Sequence, residues 1–351
     1  MPRFILLILL ISLFFFSCQN SGKEKSEYML PVFKHQEVAR VTLFKIDKPL
    51  ASVFSVNVFG DYLFVGSPVD NFYIHIFNKH TGEFTQSAAP RGRGPGEFIN
   101  YVRSPDAVKD TIYLSEGSSD RPVYLYNLAD FVNKANNFRT VDISGCSRSY
   151  LSIFPVTEGF LSAPATKGDR FAIHDKSGKM VSVYRKFPDL GVELDTLHLW
   201  KMIQLRTGLA VKPDRNKFAA VTMLGAILEI YSIENNKIQL EKELKFYPPK
   251  ILLNTSNSRS RIHPDCMIGF WNAVATNDFI YTIFSGKTER DFQNTPLLAD
   301  FVYVFDWEGN PVKSYTIPCK IKRLSVDEQT KRAYITTVDE DGLDVVGYFD
   351  L

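Results

Sequence analysis

Two arginines, three glycines and a glutamate crowd one short stretch, Arg91-Gly92-Arg93-Gly94-Pro95-Gly96-Glu97. Guanidinium groups grip carboxylates and phosphates through paired N–H donors. Glycines let a backbone approach a ligand closely. The chemistry these residue types offer is anion binding. Glu97 is also a counter-charge for Arg91 or Arg93, which is the architectural use of the same residues. No strand, glycine-rich turn and helix surround the stretch, so it is not a dinucleotide loop. Arg103, Arg261 and Lys287 add three cations in or beside segments of irregular length.

Catalytic groupings are sparse. The six histidines, at 35, 75, 80, 174, 198 and 263, show neither the HExxH spacing nor a close pair. His263-Pro264-Asp265-Cys266 reads as a loop before a strand. No Gly-x-Ser-x-Gly elbow is present. No catalytic residue, metal ligand or cofactor is assigned. Cys146, Cys266 and Cys319 form an odd set with no metal-binding spacing, and are read as free thiols in strands.

A repeat must position these groups. Polar residues or glycine open apolar runs at Asp61, Asp110, Gly159, Asn216, Asp278 and Lys331. Downstream of each comes an aromatic or histidine and then a small polar residue: Phe77-Asn78, Tyr126-Asn127, His174-Asp175, Tyr231-Ser232, Phe305-Asp306 and Phe349-Asp350. The openers span 270 residues in five steps, a mean period of 54, and such a period marks a repeat architecture. The runs are β-branched and aromatic, as buried strands require. Each unit reads as four strands, a to d, and the chain as an all-β, six-bladed β-propeller with four-stranded blades. Two separate sandwiches would not share one spacing across the whole chain. The sixth unit ends at Leu351 after its third strand, so Val38–Ile46 is expected to supply the fourth and close the ring.

The innermost strands are expected near 53–58, 101–108, 149–156, 202–211, 268–274 and 320–326. Their polar members include Asn57, Arg103, Asp106, Gln204, Arg206 and Asn272, with Asp106 the one carboxylate in the first five strands. That is a poor cage for a hard cation such as the Ca²⁺ of six-bladed lactonases. The irregular segments fall on the face of the d→a crossovers and b→c loops: Arg91–Phe98, Lys250–His263 and Ser285–Asp300. Elaborated loops on a rigid frame carry binding. Arg91, Arg93, Glu97, Arg103, Arg261 and Lys287 are therefore the candidate ligand or partner residues.

The Arg91–Phe98 stretch, with Ser104-Pro105-Asp106-Ala107-Val108, resembles the crossover of NHL-type propellers. Phe284-Ser285-Gly286-Lys287-Thr288 and Val304-Phe305-Asp306-Trp307-Glu308-Gly309-Asn310-Pro311 extend the match. Over roughly residues 38–351 the chain resembles a family of six-bladed, TolB-like propeller lipoproteins of Bacteroidetes. Phe284 and Lys287 depart from the Tyr-Ser-Gly-Arg run common there. The resemblance implies a six-bladed fold and an exported, anchored protein, and it carries over no catalytic residue.

The N-terminus gives an address. Phe4 to Phe16 is almost entirely apolar and too short to span a bilayer, which takes about 20 residues. Ser17-Cys18 follows, as in a lipoprotein box, although Phe15 stands where such boxes favour leucine. The domains are thus read as a signal peptide at 1–17, a lipid-anchored flexible tether at 18–37 and the propeller at 38–351. Loss of Arg3 with the signal leaves 40 basic against 39 acidic side chains, a net charge of +1. That gives no field to gather nucleic acid. The expectation is a non-catalytic binding propeller at the bacterial envelope, on the periplasmic or surface side of the outer membrane. Its partner would be a protein, peptide or glycan, anionic in character. The alternative is a channel-site hydrolase of lactonase type. Cys18→Ser is expected to release the protein from membranes or block processing; an unchanged membrane fraction without lipid mass on Cys18 would overturn acylation.

Overall fold

Six polar or glycine turns and six buried strand pairs repeat around one axis. The computed structural model describes residues 28–117, 122–145, 152–163, 169–190, 207–254, 259–293 and 299–351. Cys18, Cys146, Gln204 and Arg206 lie outside them, as do the side chains of Arg103 and Arg261. The described strands form six antiparallel four-stranded blades, the fifth of which gains one more strand, and a small two-stranded hairpin. The architecture is the expected six-bladed β-propeller.

The recurrent spacing has a bonding cause. In blade one the strands are Ser55–Phe59, Tyr62–Val69, Phe72–Asn78 and Phe84–Pro90, which are its strands a to d. Asp61, between a and b, accepts through its carbonyl from Lys79 N–H at 2.9 Å, the residue just after Asn78. The same bond joins Leu128 to Asp110, Ile233 to Asn216 and Leu351 to Lys331, at 2.7 to 2.9 Å. Each donor follows the small polar residue at or near the end of strand c. Those residues close the c→d turn with their side chains: Asn78 Oδ1 accepts from His80 and Thr81 N–H, Asp175 Oδ1 from Ser177 and Lys179, and Asp306 Oδ1 from Glu308 and Asn310. Opener and closer are thus locked face to face, and their separation in sequence is held by backbone geometry.

The core is divided among the seams between blades. Phe64, Ile112, Tyr126 and Phe131 fill the seam of blades one and two, with Phe131 carried on the short helix Leu128–Val132 that Asn127 caps. Phe171, Phe218 and Tyr231 fill the seam of three and four; Phe270, Phe284 and Phe305 that of four and five. Tyr281, Val302, Ile335 and Phe349 join five to six. Phe44, Leu63, Val65, Phe77 and Tyr334 join six to one. Buried ion pairs cross two seams. Arg170 forks onto Glu229, with Nη1 2.7 Å from Oε1, and also donates to the Tyr231 hydroxyl at 2.8 Å. Burial works against the Arg170 charge, but Glu229 and Tyr231 more than offset it and hold its pKa above the ordinary value. Lys79 meets Asp327 at 2.9 Å between blades one and six.

The ring closes at both chain ends, as expected, but with a shorter strand and an earlier start. Thr42–Leu43 pairs antiparallel with Asp344–Asp350 in blade six, and Phe44 N–H extends the pairing to Val346 O at 2.9 Å. Val38 belongs elsewhere: His35–Val38 runs parallel to Pro311–Ile321 on the outer edge of blade five. The chain is already docked at Met29, whose N–H reaches Lys245 O of blade four at 3.0 Å. Phe33 is buried, its ring 4.5 Å from Tyr303. Ordered packing therefore begins about ten residues before the expected boundary at 38, because Phe33 has an aromatic seat between blades four and five. Residues 29–44 form a girdle over blades four, five and six.

Phe44 is 9 % exposed and packs against Tyr334 and Tyr348. Phe44→Ala is expected to cost about 3–5 kcal/mol in urea unfolding, while Leu43→Ala, 47 % exposed, stays within about 0.5 kcal/mol. Equal losses would mean that Phe44 does not hold the closing seam.

Candidate functional site

The d→a face gathers the arginine–glycine stretch, and its first task is structural. Arg91 lies just after strand d of blade one, bridged to Phe98. Gly92 N–H donates to Phe98 O at 3.0 Å and Phe98 N–H to Pro90 O at 2.8 Å. Phe98 is fully buried against Tyr124. Glu97 turns back into its own loop and accepts from Gly94 N–H at 2.7 Å. A Cβ on Gly92 would stand 2.0 Å from the Glu97 carboxylate, so only glycine leaves room for this fold-back. Glu97 is thus a loop brace, and the described contacts give it the Gly94 amide as partner in place of an arginine.

That brace leaves Arg91 and Arg93 exposed. The Arg91 guanidinium lies over the Tyr73 ring, 5.3 Å from its centre. From there a line of rings runs to the central channel. Tyr73 meets Tyr101 at 5.8 Å, and Tyr101 meets Phe54 at 4.9 Å. Tyr73 is fixed by its hydroxyl, which donates to Ile99 O at 2.7 Å. Phe54 lies against bare backbone: a Cβ on Gly66 would stand 2.5 Å from its ring. Arg323, at the start of the innermost strand of blade six, donates through Nε to Phe54 O at 2.6 Å. Its guanidinium lies 5.7 Å from the Trp271 ring centre of blade five. A row of aromatic rings, with Arg91 at one end and Arg323 between Phe54 and Trp271, therefore runs through blades one, two, six and five at the channel mouth. Tyr101 stays 52 % exposed within it.

The channel below has a volume of about 290 Å³. Phe54, Val56, Leu209, Ala273 and Leu324 are among its apolar walls, with Asn57, Asp106, Asn272, Arg323 and Ser325 as polar lining. These polar groups tie blades together. Asn57 donates to Pro105 O at 3.2 Å, Asn272 Oδ1 accepts from Leu324 N–H at 3.0 Å, and Ser325 Oγ accepts from Val58 N–H at 3.2 Å. Asp106, the carboxylate among the described lining residues, is gripped by both terminal nitrogens of Arg215. Arg215 also reaches Ala107 O and Pro155 O, binding blades two, three and four at the far end. No cluster of three or more metal-ligating side chains occurs among the described residues.

The other expected residues are spread around the same face. Lys287 pairs with Ile268 in blade five. Hydrogen bonds from Thr288, then the charges of Lys287 and Arg290, hold the nearby Asp291 carboxyl below its usual range. Arg261 lies in the hairpin of Ile251–Asn254 and Arg259–Ile262, opposite Leu252. Arg103 lies in strand a of blade two, opposite Ser115. Asp265 of the His263–Cys266 segment is held by Arg290 at 2.8 Å, as a loop anchor. Cys266 and Cys319 form no disulfide. Sequence reasoning missed Phe54, Tyr73, Tyr101, Trp271 and Arg323. Phe54, Tyr101, Trp271 and Arg323 all fall inside expected innermost strands, but the aromatics read as core, and only the charge of Arg323 was a visible signal.

A sequence model of the TolB-like six-blade propellers matches residues 32–329. No curated protein matches the chain in sequence. Among solved structures, a member of the DUF4221 family from Bacteroides vulgatus aligns with a TM-score of 0.56 at 12% identity, over 90% of this chain and 98% of its own. A Bacteroides fragilis protein described as exported aligns with a TM-score of 0.52 at 13% identity, over the same shares. A luciferin-regenerating enzyme shares the fold at 9% identity and a TM-score of 0.52, over 89% of this chain and 95% of its own.

Stability separates brace from binding surface. Glu97→Ala is expected to cost about 1–2 kcal/mol through the lost charge-assisted bond. Gly92→Ala is expected to be harmful alone and nearly neutral beside Glu97→Ala, a coupling that a double-mutant cycle measures. Arg91→Gln with Arg93→Gln should cost less than about 1 kcal/mol; a larger loss would make the arginines architectural too.

Proposed function

The chain belongs to the TolB-like six-blade propeller family, and from that premise we propose that it is a non-catalytic binding propeller tethered at the bacterial envelope. It takes an anionic ligand at the face of the d→a crossovers. The observation that carries this reading is the row of aromatic rings that holds Arg91 and Arg323 and includes exposed Tyr101. Rings flanked by guanidinium groups give flat apolar contact and charge recognition together. A concave mouth of low dielectric focuses that positive field.

The hydrolase alternative needs a group free to polarise or attack a substrate in the channel. Asp106 is already neutralised by a bidentate guanidinium, Asn272 and Ser325 are engaged between blades, and Asn57 spends its amide N–H on Pro105 O, which leaves its Oδ1, an acceptor only, unpartnered. These engagements favour binding over turnover. Tethering rests on the apolar run that ends in Ser17-Cys18 and on the family.

Capture from solubilised envelope tests the binding reading. Wild-type protein is expected to retain an envelope component that the Tyr101→Ala/Arg91→Gln variant loses by at least about tenfold, as two lost contacts of about 1 kcal/mol or more each imply, at an unchanged melting temperature. Equal capture by the variant would place binding elsewhere. Calcium-dependent lactone hydrolysis by the wild type would turn the reading to the enzyme.

A further inference from the structure

Where the girdle first meets the propeller, apolar side chains point away from it. Met29 is 66 % exposed, Leu30 59 % and Val32 80 %. Between them and the propeller the chain is pinned on both sides, by the Met29–Lys245 backbone bond and by buried Phe33. Folding does not need these three side chains in water, and soluble surfaces rarely gather such residues without a use. Lys34, Arg40 and Lys45 follow, all exposed. Glu37 is the one acid between Tyr28 and Lys45, and Lys313 meets it at 2.8 Å. The outer surface of the girdle is therefore apolar at its start and cationic beyond.

We propose that this strip docks on an anionic lipid surface. The occupant follows from position. Cys18 lies ten residues before Tyr28, a reach of at most about 35 Å. A lipid on Cys18 therefore keeps the start of the girdle within that reach of the bilayer, close enough for Met29, Leu30 and Val32 to touch it. Side chains of this type settle at the boundary of headgroups and acyl chains, and nearby cations add attraction to anionic lipid. The placement also orients the molecule. Lys245 ends strand d of blade four, on the d→a side, so the chain meets the bilayer from the face that bears the aromatic row. The orientation rests on acylation at Cys18, whereas the affinity of the strip for lipid does not.

The test uses residues 18–351 with Cys18→Ser, which removes the acyl contribution. Flotation is read with phosphatidylglycerol vesicles and with phosphatidylcholine vesicles. Binding to the anionic vesicles is expected, reduced at least about tenfold by Met29→Ser/Leu30→Ser/Val32→Ser. Lys34→Gln/Arg40→Gln should remove the preference for anionic over neutral vesicles. All five side chains are exposed, so thermal melts should match the parent and show that folding is intact. Equal flotation of the triple variant, or no flotation of the parent, overturns the proposal. A dimer in gel filtration that the triple variant dissolves would overturn it in favour of a second copy of the chain. Mass analysis of native Cys18 reports on acylation separately, so failure of the anchor and failure of the strip are told apart.

Discussion

Closure of the ring is the constraint on which the rest of this structure depends. The cores lie in the seams, so each seam needs the blades on both sides of it. Blade six brings only three strands from the C-terminal end of the chain, and Thr42–Leu43 supplies the fourth. Phe44 then fills the seam with blade one. Polar bonds fasten the same seam: Lys79 to Asp327, Asp344 to Val53 N–H at 3.0 Å, and Arg323 to Phe54 O. Residues hundreds of positions apart must meet before any of this is gained, so the fold rests on long loop closure compensated by a cooperative set of contacts. The girdle of residues 29–44 extends the same device over three blades.

Charge is buried here for geometry more than for stability. A buried ion pair gains little over a well-packed apolar one, but losing one partner leaves an uncompensated charge. Arg170 and Glu229 therefore penalise any slip between blades three and four. Arg215 does the same at the far end of the channel, where one side chain joins three blades and occupies Asp106. With that end braced, the proposed binding surface is the opposite mouth. Arg323 serves both purposes, since it ties blade six to blade one and stands in the aromatic row.

The two faces of the disc thus have different work. One carries turns closed by Asn78, Asp175 and Asp306, all bonded within their own loops. The other carries the crossovers, the extra hairpin and the start of the girdle. The proposed binding at the mouth and docking at the rim are compatible, because the girdle pairs with outer strands of the blades, while Tyr101, Phe54 and Arg323 lie at the innermost strands around the channel.

The sequence by itself determined the blade count, the strand order and the candidate loop. The reason is that the period is written in short-range bonds: Asp61 with Lys79 and Asp110 with Leu128 join turns fewer than twenty residues apart, and the residue types at those turns are restricted. Closure was legible because a three-stranded last unit demands a partner. Val38 was misplaced because a free strand-like run does not say which edge it will pair with. In the site, Arg91 and Glu97 were legible as a charged loop, but their division of labour was not. Tertiary structure decided that Glu97 bends to the Gly94 amide while Arg91 lies over Tyr73. It also decided that Tyr101, Phe54, Arg323 and Trp271, from four different blades, meet at one mouth. Nothing local marks them, since an aromatic beside a strand is chemically the same whether its neighbours bury it or leave it at a rim.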